Sequence, residues 1–313
     1  MLEGPHAYAG KKENDIMKKV IIVGGGVAGF TAGIYLRVTP GIDAHTHEFI
    51  RTGQNDSKFG FTLDSGEALE AVKTALVTPG VALKGLHCHV GSQVFDSDVF
   101  IRAAEIMLDF VCKMKSMHGF TTEILDLGGG YGVRYLDSDP KIDIKANILE
   151  VGRFVKSHCE TIGIECPAII MEPGRSIVAD AGITLYTVGS VKTITGYKSY
   201  VSVNGGMTDN PRYALYQSEY SILVANKADR DADFCCTVAG RCCESGDLLQ
   251  EDICIQKPER GDILAVLVTG AYNYAMSSNY NRVPRPAMVM IADGKARLVV
   301  KRESYEDMMR NEF

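Results

Sequence analysis

The sequence predicts two architectures in series, an α/β front portion and a mainly β rear portion, changing over near residue 182. Three observations carry this. Short apolar runs at 83–90, 124–127 and 168–172 each end in glycine or polar residues. Helical periods at 98–117 and 144–162 separate them, the alternation expected of a parallel βα protein. Beyond Ala181 the long helical periods stop, and strand-like runs follow at 184–193, 200–204, 234–239, 262–269, 287–291 and 296–301.

In chain order, residues 1–16 are polar and mixed in charge, with no apolar core of an export signal. Residues 18–23 read as a strand, Gly24-x-Gly26-x-x-Gly29 as a turn, and the residues through Leu36 as a short helix. The resulting organisation is an atypical leader with a glycine-rich βα unit (1–36), an α/β segment (37–181) and a β segment (182–313), without internal repeats. Lys and Arg total 33 against 39 Asp and Glu, and no basic stripe appears, which excludes nucleic acid as a partner. No apolar run reaches the ~18 residues of a membrane span. Nine cysteines in a long chain, two pairs of them adjacent, do not form a disulfide framework; reduced thiols and a cytoplasmic location are expected.

The glycine pattern at 24–29 has the context of a dinucleotide turn, where a pyrophosphate meets a helix N-terminus. A dinucleotide site also needs an acidic residue ending a second strand about 20 positions on. Glu48 has that spacing, but Pro40-Gly41 is poor for a buried parallel strand, so the motif is read as a plain glycine-rich turn.

The stronger signal lies at three successive strand ends: His87-Cys88-His89-Val90-Gly91-Ser92-Gln93, Asp126-Leu127-Gly128-Gly129-Gly130-Tyr131-Gly132 and Glu172-Pro173-Gly174-Arg175. Strand C-termini of a βα barrel converge on one face, where sites are built. The triple glycine exposes backbone N–H groups to an anion, and Ser92 and Arg175 add a hydroxyl and a forked cation. Glu172 stands at the same mouth. His87 and His89 raise the question of a metal, but no carboxylate shares their motif and no metal is expected. Cys243-Glu244 in a turn offers a proton donor beside a charge reader. Asn210-Pro211-Arg212-Tyr213 with Tyr216, and Gly270-Ala271-Tyr272-Asn273-Tyr274, complete the set.

In this order the motifs resemble the alanine-racemase-type (fold-type III) pyridoxal-phosphate decarboxylases, and among them the group acting on diaminopimelate. The resemblance runs from about Leu36 to Phe313 and also includes Pro40-Gly41-Ile42-Asp43-Ala44-His45-Thr46-His47-Glu48 and Ser57-Lys58-Phe59-Gly60. It implies an incomplete (β/α) TIM-type barrel followed by a C-terminal β-sandwich or Greek-key domain. It implies pyridoxal 5'-phosphate as cofactor, decarboxylation of meso-2,6-diaminopimelate to L-lysine and CO₂, and a homodimer with shared sites. His89 would stack on the ring. Ser92, Gly128, Gly129, Gly130, Gly174, Arg175 and Tyr272 would hold the phosphate, and Glu172 would pair with the ring nitrogen. Arg175, Arg212, Tyr216 and Tyr272 would bind the substrate, Glu244 would read its far ammonium, and Cys243, with Glu244 from the second subunit, would supply the final proton.

One departure stands beside the match. The family carries a cofactor-anchoring lysine in a Tyr-Ala-x-Lys context, upstream of Gly41 by on the order of two more βα units. The nearest approach here is Tyr8-Ala9-Gly10-Lys11, read as a solvated leader lysine. The chain thus looks like the C-terminal three-quarters of a decarboxylase with a foreign start. Two further readings follow, a non-catalytic remnant that keeps the phosphate cup and a nucleotide-dependent oxidoreductase resting on Gly24 to Gly29.

Overall fold

The computed structural model describes residues 32–42 and 58–313. The leader, the strand expected at 18–23, the turn at Gly24 to Gly29, Lys11 and Glu48 lie outside the described residues. The first part is a five-stranded parallel sheet built from β1 (Ala32–Thr39), β2 (Phe61–Thr62), β3 (Val81–His87), β4 (Ile124–Asp126) and β5 (Ala168–Ile170), in the order β2-β1-β3-β4-β5. Helices α1 (Glu67–Val77), α2 (Ser97–His118), α3 (Ile144–Ile162) and the single turn α4 (Arg175–Val178) follow successive strands.

The register of this sheet sorts its side chains. Leu36, Leu86, Leu125 and Ile169 form one row across β1, β3, β4 and β5. All four join the apolar cluster that also takes Phe100, Met107 and Leu108 of α2 and Val151 and Val155 of α3. One residue further along, Arg37, His87, Asp126 and Ile170 form the next row, and alternation along a strand sends it to the opposite face. The helices have clear boundaries. Asp96 accepts from the Asp98 N–H at the start of α2, and Asp143 accepts from the Ala146 N–H at the start of α3. Gly119 and Gly163, both at positive φ, end them.

Ala32 to Leu36 read as the end of a helix in the sequence; they are strand. Pairing with both β2 and β3 decides this, because two ladders and the apolar contacts of Ile34, Leu36 and Val38 outweigh weak local propensity. Helix α1, strand β2 and two strands of the rear part were not anticipated.

The second part is a six-stranded mixed sheet. It contains β6 (Thr184–Thr193), β7 (Ser199–Val203), β8 (Ile222–Val224), β9 (Phe234–Ala239), β10 (Leu248–Ile255) and β11 (Ile263–Val266), ordered β10-β9-β7-β6-β11-β8, with the turn α5 (Arg212–Tyr216) before β8. The sheet curls until its two edges meet. Gln250 and Gln256 of and after β10 use their side-chain oxygens to accept from the backbone N–H groups of Tyr220 and Val224, at 2.7 and 2.8 Å. Side chains thereby satisfy edge groups that no ladder covers. An exposed hairpin, β12 (Met288–Ala292) and β13 (Lys295–Val300), and the turn α6 (Tyr305–Met309) close the chain.

The cysteines correct one expectation. Cys254 of β10 lies directly opposite Cys235 of β9, and the two are joined by a disulfide. Counting cysteines along the chain cannot register a pair made by antiparallel register; Cys88, Cys112, Cys159, Cys166, Cys236, Cys242 and Cys243 are free thiols. No helix among the described residues is long and apolar enough to cross a membrane.

Leu86 is fully buried in the middle of the first cluster. Leu86→Ala is expected to cost about 2–5 kcal/mol, read as a fall in the urea midpoint at unchanged slope.

Candidate cofactor site

The site is assembled where the parallel strands end and the curled sheet docks. Leaving β4, the chain passes Leu127 and runs through Gly128 (φ 70°), Gly129 and Gly130 (φ 115°). A Cβ on Gly129 would lie 2.0 Å from the carbonyl oxygen of Glu172, and one on Gly128 would lie 2.5 Å from that of Cys88. The three strand ends therefore approach one another backbone to backbone, which only glycine permits. The Gly129 N–H donates to Nδ1 of His89 at 3.2 Å, so Nδ1 is the acceptor nitrogen of a neutral ring. Burial, with Arg37 and His87 nearby, pushes the His89 pKa down to about 4.

Behind the glycines the polar row of the sheet makes a cluster that the sequence did not reveal. His87 Nε2 lies 3.4 Å from Oε2 of Glu172, and ligand atoms of His87, Asp126 and Glu172 all lie within 4.8 Å of one another. The carboxylates missing from the His-x-His motif are thus supplied by two other strand ends. Asp126 accepts from the Gly128 N–H at 2.9 Å. Burial pushes the Asp126 pKa up to about 6, against the Gly128 hydrogen bond and with the Glu172 carboxylate adding to the rise.

The second half of the site is cationic and aromatic. Arg175 and Arg212 are each 5% exposed. Arg175 donates to Ser92 Oγ at 2.9 Å and to the Tyr135 hydroxyl, and its guanidinium lies 4.6 Å from the Tyr272 ring centre. Arg212 lies 5.5, 5.7 and 5.9 Å from the ring centres of Tyr135, Tyr216 and Tyr272. Neither arginine has a carboxylate within ion-pair distance among the described residues, and the Nε of each is buried without a hydrogen-bond partner there. Tyr272 adopts a left-handed backbone at φ 62°, the kind of strain that recurs at ligand sites.

Most of the expected residues therefore meet. His89, Gly128, Gly129, Gly130 and Glu172 stand on one side, and Ser92, Arg175, Arg212, Tyr216 and Tyr272 on the other, joined through the turn at Gly174. Tyr135 was missed; a lone aromatic after a glycine run carries no sequence signal, and only its position between two arginines reveals it. Cys243 and Glu244 are not brought in. They sit on the exposed turn between β9 and β10, where Glu244 accepts from the Tyr280 hydroxyl at 3.3 Å. Neither makes a hydrogen bond or ion pair to the arginine cluster among the described residues.

The residues present fit a phosphorylated ring. Two buried cations have no carboxylate partner among the described residues, the backbone at the strand ends is bare glycine, and Glu172 beside it keeps its carboxylate 48% exposed. Fold and site define an α/β cofactor-binding protein with an appended β lobe. Residues 14–179 match the pyridoxal binding domain of pyridoxal-dependent decarboxylases, and the chain belongs to that family. It is 46% identical over 282 residues to the diaminopimelate decarboxylase of Bacillus subtilis, covering 90% of this chain and 64% of that protein. The corresponding enzyme of Halalkalibacterium halodurans is 48% identical, with the same two coverages. The crystal structure of diaminopimelate decarboxylase from M. jannaschii with L-lysine superposes with a TM-score of 0.79 at 34% identity, over 91% of this chain and 64% of that one. The chain thus spans 64%, less than two thirds, of the length of these relatives.

The Asp126 proton has a consequence for stability. The folded chain keeps it up to about pH 6, whereas the ordinary carboxyl releases it near 3.8. Folding therefore gains from this group below about pH 4, and the gain is lost as pH rises through about 6. Asp126→Asn is expected to flatten the stability profile between those values, measured by denaturant unfolding at a series of pH values.

Proposed function

We propose that the protein is a pyridoxal-phosphate-dependent decarboxylase acting on meso-2,6-diaminopimelate to give L-lysine and CO₂. The observation that carries this reading is the pair of buried arginines without carboxylate partners among the described residues, one of them on the same strand-end turn as Glu172. Burying unpaired charge costs several kcal/mol, and two anions, a phosphate and a substrate carboxylate, would relieve it. In this reading the five described parallel strands belong to a (β/α) barrel, and the curled sheet belongs to a β-sandwich or Greek-key domain.

The cofactor, when bound, supplies an electron sink for the pair left on the substrate carbon as CO₂ departs. Ser92, the N–H groups of Gly128 to Gly130, Gly174, Arg175 and Tyr272 hold its phosphate. His89, neutral and anchored by Gly129, lies against the ring. Glu172 holds a proton at the ring nitrogen. Arg175, Arg212 and Tyr216, with Tyr272, orient the substrate carboxylate, and burial of this cluster keeps water from competing for the two forks. Cys243 Sγ delivers a proton to the carbon that lost CO₂, while Glu244 reads the distal ammonium. The separation of Cys243 and Glu244 from the rest of the site supports a homodimer in which a partner subunit supplies them.

The reading is tested by incubating the protein with pyridoxal phosphate and meso-diaminopimelate. Equimolar CO₂ and L-lysine are expected, but slowly, because the nearest match to the family's anchoring lysine is Lys11 of the leader. Saturable cofactor binding with no CO₂ would replace this reading with the non-catalytic remnant. A second measurement addresses the shared site. Cys243→Ala and Arg175→Ala chains, each inactive, are expected to regain activity when mixed, because one of the two hybrid sites carries neither change. Verified heterodimers without activity would place both residues in one subunit's site.

A further inference from the structure

The row Arg37, His87, Asp126 runs across β1, β3 and β4 at one level, and Glu172 leaves the end of β5 beside it. Glu172 meets the ring nitrogen, while its two buried neighbours, His87 and Asp126, have no contact with cofactor or substrate assigned to them. His87 is 3% exposed, and neither of its ring nitrogens has a hydrogen-bond partner among the described residues. Leaving a buried polar group unpaired is destabilising, so the site gains if the 3.4 Å gap from His87 Nε2 to Glu172 Oε2 closes. Asp126 is also buried, fixed through Gly128, and adjacent to the same carboxylate.

We propose that His87 and Asp126 are positioning residues that hold the Glu172 carboxylate in one orientation, the former through its Nε2–H and the latter through a carboxyl proton, so that the remaining oxygen faces the ring nitrogen of the cofactor. This rests on the reading of Glu172 given above.

The charges facing the cluster agree with this division. Arg37 faces it from β1, His87, Cys88 and His89 from the end of β3, and Asp126 from β4; Tyr35 of β1 also feels the Asp126 charge. Burial, assisted by Arg37, pushes the His87 pKa down while Glu172 opposes the fall, so the imidazole works as a neutral donor. Burial and the neighbouring Glu172 favour the proton on Asp126, which it keeps up to about pH 6. Two ionised carboxylates in contact would repel, and a shared proton turns that repulsion into a hydrogen bond. The three donors resemble a cation site, but Arg37 already places a positive charge beside them.

The experiment uses pyridoxal phosphate labelled with ¹⁵N in the ring, bound to the protein, with the ring-nitrogen resonance followed against pH. His87→Leu and Asp126→Ala are expected to lower the deprotonation midpoint of the ring nitrogen by about one pH unit, a tenfold change in its proton affinity. His87→Gln and Asp126→Asn keep an N–H donor toward Glu172 and are expected to retain the wild-type midpoint. A merely structural role would lower thermal stability without moving this resonance. Glu172→Gln is the control. If it leaves the midpoint where it was, the reading of Glu172 itself has failed. If it shifts the midpoint but His87→Leu and Asp126→Ala do not, the positioning role has failed. Should those two variants not fold, the conservative pair decides: a midpoint displaced in both His87→Gln and Asp126→Asn overturns the proposal.

Discussion

Two guanidinium groups, buried without carboxylate partners among the described residues, set the terms for this molecule. Arg175 comes from the turn after β5, in the parallel part, and Arg212 from α5, in the curled sheet. Bringing both out of water is costly, and the aromatic faces of Tyr135, Tyr216 and Tyr272 return only part of it, about 0.5–2 kcal/mol for a well-placed cation on a ring. Tyr135 binds the two parts together. Its ring and hydroxyl meet the arginines, while its backbone carbonyl accepts from the Ser221 N–H and hydroxyl at 3.1 and 2.7 Å. Docking of the two parts and formation of the cationic pocket are thus one event.

The sheet register is the second constraint. One row of apolar side chains packs under the helices, and the adjacent row carries an arginine, a histidine and an aspartate to the other face. A one-residue slip would exchange the rows, exposing the leucines and burying the charges among the helices. The same register that builds the core therefore delivers His87 and Asp126 to Glu172. Close backbone approach at Gly128 and Gly129 completes the arrangement, since a side chain at either would drive the strand ends apart.

The alternation of apolar runs and helical periods was legible because each element satisfies a local rule. Asp caps and Gly stops bound α2 and α3, and strand ends coincide with glycine. The motifs from His89 to Arg175, with Arg212, Tyr216 and Tyr272, stand out in the sequence because each is contiguous, and the structure brings Ser92, Arg175, Arg212, Tyr216 and Tyr272 together. The segment through Leu36 was not. A glycine-rich turn followed by Ala, Gly and Ile suits a helix locally, and only pairing on both sides makes it a strand.

The sequence by itself determined the alternation of strand and helix from β3 to β5, the glycine-lined strand ends and which polar residue types stand beside them. Those depend on short-range sterics and hydrogen bonding within a few residues. The tertiary structure alone decided which groups share a space. It placed two carboxylates beside His87, Tyr135 between two arginines, Cys235 opposite Cys254, and Cys243 and Glu244 apart from the arginine cluster. Each of these joins residues from different strands or turns, and such contacts follow from register and from the docking of separate elements, which no local pattern along the chain specifies.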